Sequence, residues 1–190
     1  MGENLIILAH PDINKSIYNK KIISGLKHIE GTQIKNIYEL YPDFKINTAI
    51  EQSDLLHAGK IIFQFPMYWY GAPALLKQWE QYVLTPDLCS GVTGDKLKGK
   101  ELMISVTGGG SMEEYERKKM DYDVMKLWAP FFYIARYCQM QFHEPVYTNV
   151  PYIPTGHENC DLSKVDDIIK PHIEKILKFI EPPNKSRNLN

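Results

Sequence analysis

Cysteine is scarce in this chain of 190 residues: Cys89, Cys138 and Cys160 are three scattered thiols, with no Cys-x-x-Cys and no Cys/His run at zinc spacing. This excludes a disulfide framework and a zinc module and is the pattern of free thiols in a reducing compartment. No apolar run approaches the roughly 18–20 residues that cross a bilayer. The N-terminus lacks the basic region of a secretion signal, and its short apolar run fits a strand, so the cytoplasm is the expected location. Charge of one sign is missing as well. The net charge of −1 excludes a sequence-independent grip on nucleic acid and argues against an acidic electron carrier that docks by its field. No Gly-x-Gly-x-x-Gly and no Gly-x-x-x-x-Gly-Lys-Ser occurs, which removes the Rossmann and P-loop fingerprints. With no internal repeat or linker, residues 1–181 form one expected domain and residues 182–190 a polar tail.

What the chain does have is a soluble composition, 44% hydrophobic and 24% charged, and many aromatics. The aromatics cluster after Pro66 and between Trp128 and Tyr137. Strand and helix signals alternate. Strands are expected at 5–9, 33–40, 60–65, 102–106 and 141–146. Helices are expected from Ser16 to about Ile29, at 48–58, at 73–84, in parts of 113–139 with a break at Pro130, and at 162–180 with Pro171 as a kink or break. Such alternation implies an α/β three-layer fold: a five-stranded parallel sheet in flavodoxin-like order 2-1-3-4-5, with helices on both faces. Ligands in such sheets bind at the carboxyl ends of the strands, near the switch between strands 1 and 3.

Three loops should meet there. The first, His10–Asn19, leads into a helix whose opening N–H groups can hold a phosphate, with Ser16, Asn19, Lys15 and His10 as further donors; alternatively Ser16 is only a helix cap. The second, Phe65-Pro-Met-Tyr-Trp-Tyr-Gly-Ala-Pro73, puts four large side chains in a connection that would ordinarily lie in water. A flat aromatic ligand, a partner subunit, a folded-over lid or a core cluster would each account for them. The third, Thr107-Gly-Gly-Gly-Ser-Met112, lets backbone approach a ligand closely, or is a flexible turn. Phosphate, flat ring and close backbone together are the requirements of a flavin nucleotide.

At these residues the chain resembles the flavodoxin-like NAD(P)H:quinone oxidoreductase family, and within it the ancillary flavoproteins of glutathione-gated potassium efflux systems. The resemblance lies in Ala-His-Pro at 9–11 with Ser16 and Asn19, Tyr-Glu-Leu-Tyr-Pro-Asp-Phe at 38–44, Phe-Gln-Phe-Pro-Met-Tyr-Trp-Tyr at 63–70, Pro-Ala-Leu-Leu-Lys-Gln-Trp at 73–79 and Thr-Gly-Gly-Gly at 107–110. It implies FMN, with FAD as the alternative, and NAD(P)H as hydride donor to a quinone. It places the phosphate at His10, Ser16, Ile17, Tyr18 and Asn19. The ring system falls at Pro66, Met67, Tyr68, Trp69 and Tyr70, with Val106, Thr107, Gly108 and Gly109 along its edge. Trp69 and Tyr115 are the residues it puts nearest the chemistry. It further implies a homodimer, with Trp128–Tyr137 as the candidate contact, and a peripheral association with a membrane potassium-efflux protein at the inner face of the membrane. Two departures stand out. Residues 84–94 lack the aromatic-Gly turn of relatives, and no His lies among 116–141 to pair with Tyr115, leaving Lys118 or Lys119 as substitutes.

Overall fold

The computed structural model describes residues 3–90, 94–109, 124–150 and 162–181. Its centre is β1 (Glu3–Leu8), with α1 (Tyr18–Leu26) leading to β2 (Thr32–Asn36). There follow α2 (Ile37–Leu40), α3 (Thr48–His57) and β3 (Ala58–Pro66). Next come α4 (Ala74–Val83), α5 (Pro86–Cys89) and β4 (Glu101–Gly108). The chain closes with α6 (Ala129–Tyr137), β5 (Gln141–Phe142), β6 (Val146–Asn149) and α7 (Val165–Ile180). The strands are parallel in the order β2-β1-β3-β4-β5, with β6 also paired to β4. This is the expected topology with one strand added.

The central strands are apolar on both faces because each face meets its own layer of helices. On one side Leu5, Ile7, Ile61, Phe63, Leu102 and Ile104 pack with Leu55, Leu76, Trp79 and Phe131. On the other, Ile6, Ile62 and Met103 pack with Ile22 and Leu26 of α1 and Ile169 and Ile176 of α7. Gly25 permits the approach of those two helices: a Cβ there would meet Ile173 Cδ1 at 2.8 Å.

Four local expectations change. The strand expected at 33–40 stops at Asn36, the partner of the last residue of β1, because β2 has no further neighbour to pair with; Ile37–Leu40 turns helical instead. Pro130 begins α6 rather than breaking a helix, sitting in the first turn where its missing N–H has no intrahelical role. The fifth strand is split. β5 pairs with Glu101 and Leu102 and β6 with Ser105–Gly108, and Pro145 lies between them without an N–H to give to a ladder. Finally, α7 runs through Pro171, which is exposed together with Asp167, so the carbonyl deprived of its donor faces water. Cys89 and Cys138 are buried free thiols; Cys160 and the tail from 182 lie outside the described residues.

Candidate active site

The register of the sheet ends β1, β3 and β4 side by side. Leu8 pairs with Gln64, and Pro66 with Thr107. The loops that follow therefore face one crevice of about 610 Å³. It is lined by His10, Ser16, Ile17, Tyr18, Asn19, Pro66, Met67, Tyr68, Trp69, Thr107, Gly108 and Gly109, together with Pro11, Asp12, Lys15 and Val150. Of the residues expected there, Val106 is buried in the core and Tyr70 lies outside the lining. Tyr115, Lys118 and Lys119 lie outside the described residues.

The first loop is built by its own hydrogen bonds. The N–H of Asp12 donates to His10 Nδ1 at 3.1 Å, and a short 3-10 turn at Ile13–Lys15 follows. Ser16 caps α1, accepting the N–H of Asn19 on Oγ at 3.1 Å. Because Nδ1 of His10 is an acceptor, the neutral ring carries its proton on Nε2. Burial lowers the His10 pKa, against the attraction of Asp12, so that N–H donor persists at neutral pH. Lys15 is paired with Asp12 at 2.8 Å.

The second loop is a tight hairpin. Tyr68 and Gly71 exchange two backbone hydrogen bonds, each 3.0 Å, around Trp69 and Tyr70, whose φ angles are 46° and 65°. Positive φ at both central residues is the geometry that Asn-Gly adopts readily and bulky side chains do not. Trp69 is 92% exposed on this turn. In the third loop, Met67 donates its N–H to the Thr107 carbonyl at 2.7 Å. A Cβ on Gly108 would meet the Tyr147 ring edge at 2.8 Å and Met67 Cε at 3.0 Å, so only glycine fits there without a shift.

Sequence reasoning missed what lies beneath. Asn19, expected to reach a phosphate with its side chain, turns its amide inward, donating to Thr107 Oγ1 at 3.0 Å and accepting from Gln64 Nε2 at 2.8 Å. Ser105 donates to Gln64 Oε1 and lies 2.6 Å from His172 Nε2, while His172 Nδ1 lies 2.8 Å from Thr148 Oγ1. The alternation of β3 and β4 places Gln64, Ser105 and Thr107 on the same face. Three polar residues at apolar positions were the signal available in the sequence.

Burial, with a smaller contribution from the charge of Lys175, pushes the His172 pKa down from 6.5 to about 4. The unfolded chain therefore takes up this proton first on acidification. The contribution of His172 to stability is complete above pH 6.5 and is lost as pH falls toward 4, amounting to at most about 3 kcal/mol. Denaturant midpoints measured from pH 7 to 4 should fall, and a His172→Phe protein, whatever its stability at pH 7, should show a flatter acid limb.

A parallel sheet in this order, with a lined crevice at the switch between β1 and β3, defines an α/β protein of the doubly wound class. The chain belongs to the flavodoxin-like fold family, whose family model matches residues 3–180. It is 35% identical over 180 residues to the uncharacterized NAD(P)H oxidoreductase YrkL of Bacillus subtilis, covering 94% of this chain and 98% of that one. It is 33% identical over 181 residues to the glutathione-regulated potassium-efflux system ancillary protein KefF of an Enterobacter species, covering 95% and 98%. Among solved structures it is similar to general stress protein 14 of Treponema denticola in complex with FMN, with a TM-score of 0.83 and 28% identity over 94% of this chain and 99% of that one. It also resembles an NADPH-quinone reductase from P. pentosaceus, with a TM-score of 0.78 and 25% identity over 96% and 99%.

Proposed function

We propose that the protein is a flavin-dependent NAD(P)H:quinone oxidoreductase that holds FMN, or alternatively FAD, in the crevice at the ends of β1, β3 and β4. The observation that carries this reading is the meeting, at one crevice, of a helix N-terminus, an outward aromatic on a strained turn, and a close-packed Thr-Gly strand end. The residues fit a flavin nucleotide. The crevice volume is within the range of about 300–1,000 Å³ that small-molecule sites occupy. When bound, the flavin supplies two-electron chemistry, accepting hydride from NAD(P)H and delivering it to a quinone.

The chain's own residues bind, orient and exclude water. The opening turn of α1 offers N–H groups and the positive end of a helix dipole to the phosphate, and His10 adds its Nε2–H. Trp69 offers a flat face, Met67 and Tyr68 flank it, and Gly108 and Gly109 let backbone donors approach the ring edge. The resemblance assigns Tyr115 to the chemistry together with Trp69, and Tyr115 lies outside the described residues. One opening serves both substrates, so they must use it in turn. The FMN-loaded protein should oxidise NADPH or NADH only while a quinone is supplied, with parallel double-reciprocal plots. Absence of quinone-dependent oxidation in the loaded protein would refute the enzyme reading.

The 33% identity to a potassium-efflux ancillary protein favours a second role, peripheral association with a membrane efflux protein from the cytoplasmic side. No helix among the described residues is long and apolar enough to cross a membrane. Co-purification with the transporter, undiminished when turnover is abolished, would support it.

The homodimer expected from the resemblance has a surface to use. The aromatic segment divides: Trp128 and Phe131 are core, whereas Phe132, Tyr133 and Tyr137 are exposed. Tyr133, Tyr137 and Tyr82 flank a groove of about 840 Å³ between α4 and α6. At its floor Glu80 is 6% exposed, with Oε1 unpartnered and its pKa raised by burial against the pull of Lys77. Sedimentation should give a dimer, and Tyr133→Glu combined with Tyr137→Glu should give a monomer. A monomeric wild-type protein would remove this assignment.

A further inference from the structure

The buried polar chain beneath the crevice has a property that its individual bonds do not show. It runs Thr107–Asn19–Gln64–Ser105–His172–Thr148, and all but Thr148 are at most 3% exposed. Each hydroxyl carries one proton, and a neutral imidazole carries one N–H. Each amide presents its NH2 to one neighbour and its oxygen to the other. Fixing any single link therefore fixes all of them, and only two patterns satisfy the chain.

In the pattern present here, Asn19 donates to Thr107, Gln64 donates to Asn19 and Ser105 donates to Gln64. The Ser105 proton is thereby committed, so its oxygen must accept from His172 Nε2–H. His172 Nδ1 is then a bare acceptor, and Thr148 donates to it. Every donor points toward the crevice. At that end Thr107 Oγ1 accepts from Asn19, so its own proton is left to point at whatever fills the crevice. In the reverse pattern Thr107 donates inward to Asn19, both amides are turned over, His172 carries its proton on Nδ1, and Thr107 offers the crevice only an acceptor. A mixed pattern would set two donors or two acceptors against each other, or have Ser105 accept from both Gln64 and His172 and leave its own proton without an acceptor, in the core, where an unsatisfied group is costly.

We propose that His172, on the closing helix, is a positioning residue of the cofactor site: through this chain its tautomer is linked to the direction of the Thr107 hydroxyl, and a ring acceptor of the bound flavin locks both. Thr107 touches the cofactor, and His172 acts through Ser105, Gln64 and Asn19. No proton is gained or lost; the donors only change direction. Burial supports the scheme by keeping the ring neutral at neutral pH, with its pKa near 4, since a doubly protonated imidazole would be held to one pattern with no choice to report. The proposal rests on the flavin reading above.

The test reads the histidine directly. The nitrogen-15 signals of His172, assigned through contacts to Ser105 and Thr148, distinguish the two tautomers. They should be recorded at pH 7 on the full chain, before and after saturation with FMN. The loaded wild-type protein is expected to show only the Nε2–H tautomer. Thr107→Ser, which keeps the hydroxyl, should behave like wild type. Thr107→Val, nearly the same shape, should bind FMN about tenfold more weakly, the scale of one lost hydrogen bond. Loaded Thr107→Val should also show a mixture of tautomers, since it has no hydroxyl for the flavin to direct. A merely structural histidine would not change tautomer with a substitution four links away. His172 as Nδ1–H in the loaded protein, or an identical tautomer in loaded wild type and loaded Thr107→Val, overturns the proposal. Bound FMN with either of those results sinks only this inference, whereas failure of FMN to bind at all sinks the flavin reading beneath it. Should Thr107→Val not fold, the wild type and Thr107→Ser still decide: each must show the single Nε2–H form when loaded.

Discussion

Glu51→Ala is expected to cost about 3–5 kcal/mol of folding stability, the range for removing one member of a buried ion pair and a large part of the margin of a domain this size. Glu51 is fully buried on α3 and serves three partners. Lys35 Nζ approaches its Oε1 at 2.6 Å, the Tyr41 hydroxyl donates to the same oxygen, and Trp79 Nε1–H donates to Oε2 at 2.9 Å. Lys35 is itself 7% exposed and also paired with Asp54. Burial opposes its charge, but the bonds to Asp54 and Glu51 outweigh that and raise its pKa. Burial and the Glu51 carboxylate together hold the Tyr41 proton well above its usual range. Alanine would leave the buried ammonium only Asp54 as a partner and would strand two buried donors, those of Tyr41 and Trp79, at once. Urea titration should show a lower midpoint with an unchanged slope. A loss under about 1 kcal/mol would mean that water reaches the cluster. Replacing Glu51 and Lys35 together by Leu and Met should recover part of the loss, because the one carboxylate left without its partner, Asp54, is 23% exposed and reaches water.

The second large effect has opposite signs in two measurements. Exchanging Trp69-Tyr70 for Asn-Gly should stabilise the cofactor-free fold by about 1–2 kcal/mol, since each strained non-glycine residue costs of order 1–3 kcal/mol and part of the relief is lost to the freer unfolded chain. The same exchange should weaken FMN binding about tenfold or more, because an aromatic face under a flat ring is worth roughly 1–3 kcal/mol. Trp69→Ala should show the binding loss alone. Trp128→Ala should instead lower stability, since Trp128 is 1% exposed and packs on Phe65 and Tyr147. A strained turn holding a 92%-exposed tryptophan is most simply explained if something binds against it. If the Asn-Gly protein keeps its FMN affinity, the ring does not lie on Trp69.

The unequal legibility of the sequence has physical causes. Leu5–Ala9 and Lys60–Phe65 were readable because strands buried on both faces leave continuous apolar runs. The site loops were readable because exposed bulky rings are costly in a connection without something to cover them, and because Ser16 and the glycines after Thr107 are local signals of a helix start and a close backbone approach. The errors fell where a neighbour decides. Asn36 ends β2 because β1 ends at Leu8, and β5 and β6 share one edge of β4 around Pro145. Nothing local in positions 33–40 encodes the first fact, and Pro145 marks a break in the second but not that both pieces pair with β4. The inward turn of Asn19 was hidden for the same reason: its partners Gln64 and Thr107 lie 45 and 88 residues away. His172 sits in a strongly amphipathic helix, where one buried histidine looks like ordinary core until Ser105 and Thr148 are seen against it.

A titration of the pure protein with FMN, followed by visible absorbance, flavin fluorescence and melting temperature, tests the central claim most directly. The account expects one FMN per chain, perturbed absorption bands, quenched fluorescence and a melting temperature that climbs with FMN concentration. Unquenched FMN at saturating concentration, with an unmoved melting temperature in both wild type and the Asn-Gly turn variant, would contradict it.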